Sequence, residues 1–197
     1  AGVSESAVEI NSGLQFFDGI TTKDIQEILI RSANDLISLD HPNYQYVAAR
    51  LLLFDLRKAV YNGHPDGHPT LIEHVNKCVD KGVYDISILS KYTEEEWETL
   101  DSYIDHDRDY LFTYAGMRQV ADKYLVQCRT TGEVYETPQF MYIMVAATLF
   151  QDDDKFYRLE YVKKYYDAIS KHRLNIPTPI MAGVRTPLRQ FASCVLV

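Results

Sequence analysis

Three cysteines are the side chains in this sequence that are best suited to chemistry: Cys78, Cys128 and Cys194. A thiolate can act as a nucleophile, a metal ligand or a carrier of reducing equivalents. The spacing contains no Cys-x-x-Cys pair, and three cysteines cannot all pair within one chain. Free thiols of this kind favour a reducing, cytosolic setting over an oxidising, extracellular one.

Cys194 is the most interesting of the three because of its surroundings. It lies in the apolar run at residues 191–197, which predicts a buried strand. A thiol in such a strand is either an inert core side chain or a reactive group. Arg185 and Arg189 are close enough in sequence to support a thiolate or a phosphate, but residue spacing alone does not decide between the two interpretations.

Two other clusters contain residue types that bind metals or exchange protons. His64 and His68 have the four-residue spacing of two metal ligands on a helix. Pro65 and Gly67 argue against a helix there, so we expect a solvated loop. For the acidic run at residues 105–109 we predict the start of a charged helix or an ion-pair cluster. The sequence therefore predicts no metal site.

The overall charge argues against several classes of function. The 197 residues carry a formal net charge of -8 and contain no basic cluster, which argues against binding to nucleic acids or membrane surfaces. No apolar run approaches the ~20 residues that a membrane helix requires. The glycine-rich nucleotide fingerprints and the Gly-x-Ser-x-Gly nucleophile motif do not occur in the sequence.

The elements that must position these groups are predicted to be mainly helical. Apolar residues recur at helical spacing, and several of these segments follow a threonine that can cap a helix. The predicted helices begin near residues 21, 43, 70, 93, 110, 137 and 155. The second is apolar on nearly all sides, which predicts a buried helix. The Gly- and Pro-rich residues 62–69 form the best candidate domain boundary.

Two segments favour β-structure. Residues 124–128 and 133–136 are rich in β-formers and flank a Thr-Thr-Gly turn, which predicts a small β-hairpin. The run at residues 191–197 predicts a strand that stops without a partner. Because an apolar strand without neighbours is an aggregation hazard, we expect the chain to continue or a second polypeptide to supply the neighbouring strands.

One long run resembles a known family. Residues 177–195 read PTPIMAGVRTPLRQFASCV, which closely resembles the start of the catalytic barrel in the large subunits of class I ribonucleotide reductases. The resemblance continues through residues 44–50, 105–109, 124–126 and 131–133, and it covers nearly the whole chain. It is strongest to the aerobic enzymes of bacteria and bacteriophages.

The resemblance implies chemistry for three residues. Enzymes of this family reduce ribonucleoside diphosphates by a thiyl-radical mechanism, in which a cysteine pair delivers the reducing equivalents. Cys194 matches the first cysteine of that pair, and Thr178 and Ser193 match positions that line the substrate site. The radical cysteine, the second cysteine of the pair, the general-base glutamate, the specificity site and the thiol-bearing tail have no counterpart here. We therefore expect the chain to be inactive alone.

The first part of the chain resembles the ATP-cone, the regulatory domain of this family. Thr22 and Lys58 match positions that contact the allosteric ATP or dATP. From the residues alone, Thr22 opens a helix whose amides suit phosphate, and Lys58 supplies a positive charge. Without the resemblance, a simple cap at Thr22 and a surface lysine near a helix end at Lys58 would be the better interpretations. The β-hairpin and first helix that begin the cone have no counterpart here, which predicts a truncated cone.

The predicted organisation follows from these comparisons. We expect a mainly α structure with a truncated, ATP-cone-like helical segment at residues 1–62 and a helical N-terminal domain at residues 63–190. Residues 191–197 are expected to form the first strand of a ten-stranded α/β barrel. No cofactor is expected on this chain itself, since the radical and its metal centre would lie in a separate small subunit.

The expected partners are also those of the family. They are the remainder of the large subunit, on the same or a separate polypeptide, the radical-bearing small subunit, the ribonucleoside diphosphate, and thioredoxin or glutaredoxin acting through the tail. We expect a cytoplasmic protein that binds neither nucleic acid nor membrane. Two alternatives remain open: a non-enzymatic nucleotide-sensing or interaction protein derived from the reductase N-terminus, and an unrelated helical binding module.

Overall fold

The computed structural model describes residues 2–61 and 67–193. Within these ranges the regular secondary structure is helical, with nine α-helices and two 3-10 helices. The α-helices are α1 (Glu5–Gly13), α2 (Thr22–Asp35), α3 (Tyr44–Val60), α4 (Leu71–Asp80), α5 (Glu94–Ser102), α6 (Tyr114–Lys123), α7 (Pro138–Leu149), α8 (Arg158–Ser170) and α9 (Thr178–Gly183). The 3-10 helices span Ile86–Ser90 and His106–Leu111.

The predicted threonine caps set the helix starts. The Thr21 hydroxyl accepts the Asp24 amide at 3.1 Å, which ends the loop before α2. Thr70 and Thr93 form capping boxes with glutamates three residues later, so the first amides of α4 and α5 have partners. These helix starts were predicted from the sequence and are confirmed.

Helix α7 is the centre of the core. Its residues from 138 to 147 are all buried, as the unbroken apolar run requires. Helix α3 differs from the prediction of a helix buried on nearly all sides. Tyr46 and Phe54, eight residues apart, lie on an exposed face together with Arg50. Leu53 and Leu56 belong to the part of the helix surface that is buried against its neighbours.

The prediction of a β-hairpin at residues 124–136 is wrong, because the described residues there do not form two paired strands. The chain turns where expected, but in the described residues one antiparallel bridge, between Gln127 and Val134, replaces the ladder. The Tyr135 amide still reaches the Val126 carbonyl at 3.0 Å. The Val126 amide instead donates to the carboxylate of Glu136 at 2.6 Å. The Glu136 side chain thus occupies the Val126 amide, which a longer ladder would need as a hydrogen-bond donor to the facing strand.

The predicted barrel strand also finds no support. Residues 191–193 lie outside any regular element, and residues 194–197 lie outside the described residues. A strand needs a neighbour for its amides and carbonyls, and the described ranges contain no strand that could serve.

The predicted boundary at residues 62 and 63 falls in a segment that is not described. Helix α3, just before it, packs against α2 and also against α6. The division into domains therefore stays a prediction. None of the helices in residues 2–61 and 67–193 is long and apolar enough to cross a membrane.

Candidate functional site

The segment around α9 carries the residues expected to line a substrate site. Thr178 is the first residue of α9 and is exposed, and Ser193 is exposed at the far end of the segment. Cys194, the expected redox residue, lies outside the described residues. Ile176, two residues before α9, and Met181 within it are both buried in the core.

A tight turn follows α9. The hydroxyl of Thr186, itself buried, donates to the Gly183 carbonyl at 2.8 Å and accepts the Leu188 amide at 3.2 Å. The ring of Phe191 lies near Gly183, where an added methyl group would sit 3.8 Å from it. The chain that leads to Ser193 is thus folded back toward α9.

Arg185 holds this turn from inside the protein. Its side chain has no exposed surface. Its Nη1 donates to the Met181 carbonyl at 2.6 Å, and its Nη2 donates to the Tyr124 carbonyl at 3.0 Å. Its Nε donates to Glu136 Oε2 at 2.8 Å, and Nη2 contacts Oε1 of the same carboxylate. Because Arg185 is fully engaged in these bonds, it is not placed to support a thiolate or a phosphate.

Glu136 is the other half of this buried pair. Its side chain is also fully buried, and it accepts from the hydroxyl of Tyr84 in addition to Arg185 and the Val126 amide. Burial raises the pKa of Tyr84 well above its usual value, and the neighbouring Glu136 charge adds to that rise. Tyr84 therefore acts as a hydrogen-bond donor to the carboxylate at neutral pH.

A histidine and a cysteine extend this network. The Nε2 atom of His74 lies 3.3 Å from the Tyr84 hydroxyl and 3.6 Å from Cys78 Sγ. Burial lowers the pKa of His74 to about 3. Burial, followed by the charge of Glu136, raises the pKa of the Cys78 thiol to about 12. Cys78 is therefore a protonated, inert thiol at neutral pH.

Arg189 provides a second attachment, at the surface. Its guanidinium pairs with the carboxylate of Asp85, while the Asp85 amide donates to the Arg185 carbonyl at 3.0 Å. Hydrogen bonds from Ser87 lower the pKa of Asp85, with a smaller contribution from Arg189. A cavity of about 280 Å³ lies here, lined in part by Asp85, Arg189 and Phe191. Of the two arginines named from the sequence, Arg189 alone reaches solvent.

Cys128 lies in a different environment from Cys78. It is half-buried in the turn near the antiparallel bridge. The hydroxyl of Thr131, followed by the amides of Thr131 and Thr130, lowers the pKa of this thiol. This lowering of the pKa could not be predicted from the turn residues alone, because it depends on how the turn closes.

Thr22 and Lys58, the two residues that match nucleotide contacts of the ATP-cone, lie at neighbouring helix ends. Thr22 is the exposed first residue of α2, and Lys58 is exposed in the last turn of α3. The Gln26 side chain donates to the Leu51 carbonyl at 2.8 Å, which joins the two helices. Burial raises the pKa of Asp55, whereas the charges of Lys23 and Lys58 both act to lower it. The start of α2 and the end of α3 therefore lie side by side.

A groove between α1, α2 and α3 is chemically different from a phosphate site. Its volume is about 780 Å³. Apolar side chains such as Val8, Phe16 and Leu29 dominate its lining, the acidic residues Glu5 and Glu9 join them, and no lysine or arginine takes part. This groove suits an apolar occupant better than a nucleotide.

The acidic run at residues 105–109 is structural, as predicted. Asp105 caps the second 3-10 helix and pairs with Arg108 at 3.2 Å. Asp109 is buried, pairs with Arg57 at 3.1 Å and accepts from Gln139 at 2.9 Å. Burial raises the pKa of Asp109 to about 6, although the Gln139 hydrogen bond and the Arg57 charge oppose that rise.

Only one member of the histidine pair, His68, lies in the described residues. His64 lies outside the described residues, and His68 is exposed with its ring stacked on that of His106 at 4.0 Å. In the described part of the chain, no group of three or more His, Cys, Asp or Glu side chains is arranged to hold a metal ion.

Comparisons with known proteins give a consistent result. A family model described as the ribonucleotide reductase all-alpha domain matches residues 110–189. The chain is 55% identical to ribonucleoside-diphosphate reductase 1 subunit alpha of Escherichia coli, over 99% of this chain and 25% of that protein. It is also 55% identical to the subunit alpha of Haemophilus influenzae, over 99% of this chain and 26% of that protein. Identity to the subunit alpha of Helicobacter pylori is 35%, over 99% of this chain and 24% of that protein. The chain thus spans about a quarter of the length of these relatives.

Proposed function

The chain belongs to the ribonucleoside-diphosphate reductase alpha-subunit family, and on that premise we propose that it forms the N-terminal helical part of an enzyme that reduces ribonucleoside diphosphates to deoxyribonucleotides. The observation that carries this proposal is the 55% identity to the Escherichia coli subunit over 99% of the chain. Identity at this level over nearly 200 residues is much more specific than any short motif.

Three residues in or after α9, at positions 178, 193 and 194, take roles in this proposal. Thr178 and Ser193 hold the substrate through their hydroxyl and backbone groups, and both are exposed on the surface. Cys194 follows Ser193 directly and is one thiol of the reducing pair. It donates a proton to the leaving hydroxyl, which departs as water. The two thiols of the pair are then oxidised to a disulfide as the substrate is reduced.

The remaining components of the reaction come from outside these residues. The chain spans about a quarter of its relatives, so we assign the second thiol, the radical-bearing cysteine and the general base to the rest of the alpha subunit. A separate small subunit supplies the radical and its metal centre. Thioredoxin or glutaredoxin regenerates the thiols, which fits a reducing compartment such as the cytoplasm.

A regulatory role is proposed for the beginning of the chain. Thr22 and Lys58 belong to an ATP-cone-like segment that senses ATP or dATP. The support is the position of both residues at adjacent ends of α2 and α3, with Lys23 nearby as a further positive charge. Helix N-terminal amides and lysine ammonium groups are both suited to phosphate.

A hybrid subunit tests the catalytic proposal. This chain would replace the equivalent quarter of the Escherichia coli alpha subunit, and CDP reduction would be measured with the small subunit and thioredoxin. We expect an active hybrid that loses activity by at least about 100-fold on Cys194→Ser, because one thiol of the pair is gone. Cys78→Ser is the matched control, since Cys78 is inert, and should change activity by less than about 3-fold. A Cys194→Ser hybrid that keeps its activity would refute the proposed role.

A further inference from the structure

We propose that the buried Arg185–Glu136 ion pair is a positioning clamp that sets the place of the segment carrying Thr178 and Ser193. The inference rests on the proposed function of that segment as part of a substrate site. Arg185 and Glu136 are positioning residues in this account, since they act through the backbone of the segment and do not touch substrate.

The clamp joins parts of the chain that are far apart in sequence. Arg185 donates to the carbonyls of Met181 and Tyr124 as well as to Glu136, and its own carbonyl accepts the Asp85 amide. Glu136 accepts in turn from residues 84 and 126. The turn after α9 is thereby tied to the 3-10 helix at Ile86–Ser90, to the end of α6 and to the start of α7.

Stability alone does not explain such a pair. Both side chains have no exposed surface. The desolvation cost of burying two charges often cancels their attraction, so an apolar pair of similar volume would stabilise the fold as well. A guanidinium fork on a carboxylate has a fixed planar geometry, which an apolar contact lacks. The main effect of the pair is therefore to fix where the turn after α9 lies relative to Glu136, and its contribution to the stability of the fold is secondary.

That position matters because α9 has little support of its own. The helix spans six residues, Thr178–Gly183, and has no side-chain cap at its start. A helix this short is not stable without tertiary contacts. The bond from Arg185 to the Met181 carbonyl satisfies one of the terminal carbonyls that a helix leaves open. The place of Thr178 thus depends on the anchoring at Arg185.

A second ion pair, between the buried Arg158 and the half-buried Glu96, provides a control in the same protein. Arg158 contacts both carboxylate oxygens of Glu96, and the two side chains are 4% and 15% exposed. This pair joins α5 and α8, and the Arg158 guanidinium donates to Glu96 and to the Gln151 carbonyl, which lie outside α9 and the turn that follows it. The same substitution at Arg158 and at Arg185 removes a guanidinium fork of the same kind in two different places.

The test compares Arg185→Lys with Arg158→Lys in the active hybrid subunit, with kcat and KM for CDP and the melting temperature measured for each. A displacement of about 1 Å in a substrate-holding group can cost about 100-fold in rate. Because Thr178 and Ser193 hold the substrate before as well as during the reaction, we expect Arg185→Lys to lower kcat/KM by about 10- to 100-fold, mainly through a higher KM, and Arg158→Lys to lower it by less than about 2-fold. Both substitutions should lower the melting temperature of the hybrid by similar amounts.

A second pair of variants keeps the test decisive if Arg185→Lys does not fold. Glu136→Gln and Glu96→Gln preserve side-chain shape and remove the same charge at each site, and the same difference in kcat/KM is expected. Equal losses of kcat/KM at both pairs, or no loss at either, would overturn the clamp. That result is distinct from failure of the proposed function, in which the hybrid is inactive or Cys194→Ser has no effect.

Discussion

The described cysteines differ in reactivity because of their immediate surroundings. Burial raises the pKa of Cys78 to about 12, whereas hydrogen bonds in its turn lower the pKa of Cys128. The thiolate is the form that reacts with alkylating agents. We predict that iodoacetamide at pH 7.5 labels Cys128 while Cys78 stays unmodified until the protein unfolds. Mass spectrometry of the peptides measures the order in which the two cysteines are alkylated. Early labelling of Cys78 would contradict the structure.

His74 makes the stability of the fold depend on pH. Its folded-state pKa is about 3, below the unfolded value of 6.5. The unfolded chain therefore binds a proton at higher pH, and the stability conferred by neutral His74 is present above pH 6.5 and is lost as pH falls toward 3. Asp109 acts in the opposite direction, because its raised pKa makes the folded state bind a proton up to about pH 6.

A substitution separates these opposing effects. Between pH 7.5 and pH 5, we predict that the unfolding free energy of the wild type falls by about 2 kcal/mol more than that of His74→Gln, because Asp109 is common to both proteins. Urea unfolding at the two pH values measures the difference. His41→Gln, on an exposed histidine, should follow the wild type. Identical pH dependence of His74→Gln and wild type would show that His74 does not titrate as described.

The partners of single residues are where the sequence was least informative. Arg185 lies nine residues before Cys194, which suggested support for a thiolate. Its actual partner, Glu136, is 49 residues away in sequence. No periodicity or cap encodes that contact, because it arises when two turns pack together in the core. The acidic run at residues 105–109 was easier to interpret, since a local cap accounts for Asp105.

At the scale of elements, local chemistry predicted helices well and strands poorly. A threonine followed by a glutamate three residues later fixes a helix start within one turn, so Thr70 and Thr93 were identified correctly. The hairpin failed because Glu136, a residue within the predicted second strand, turns its carboxylate onto the Val126 amide. β-propensity describes a pleated surface and does not anticipate such a competing acceptor.

The ends of α2 and α3 give a prediction about nucleotide binding. If ATP binds there, it should raise the melting temperature of the 197-residue chain, since a ligand that binds the folded state stabilises it. Lys58→Ala should reduce that rise, because Lys58 supplies a positive charge beside α2. Lys123→Ala is the control, as Lys123 is likewise exposed in the last turn of its helix. No effect of ATP on the wild-type chain would rule out the regulatory proposal.

At the scale of the whole molecule, one hydrophobic core runs through the described residues. Ile30 and Leu53, before the predicted boundary at residue 62, belong to the same buried cluster as Met117 and Phe140. Gly and Pro content marks a loop but does not show whether the elements on either side share a core. The mainly helical class followed from the sequence because apolar periodicity is a property of each segment by itself.

The central claim is that this chain supplies one thiol of a reducing pair whose second thiol lies outside it. The most direct measurement is a single turnover of the hybrid alpha subunit with CDP and the small subunit, without external reductant, followed by mass spectrometry of the blocked thiols. We predict that Cys194 is recovered in a disulfide with a cysteine from the Escherichia coli portion, while Cys78 and Cys128 remain free thiols. Recovery of Cys194 as a free thiol after product has formed would contradict the account.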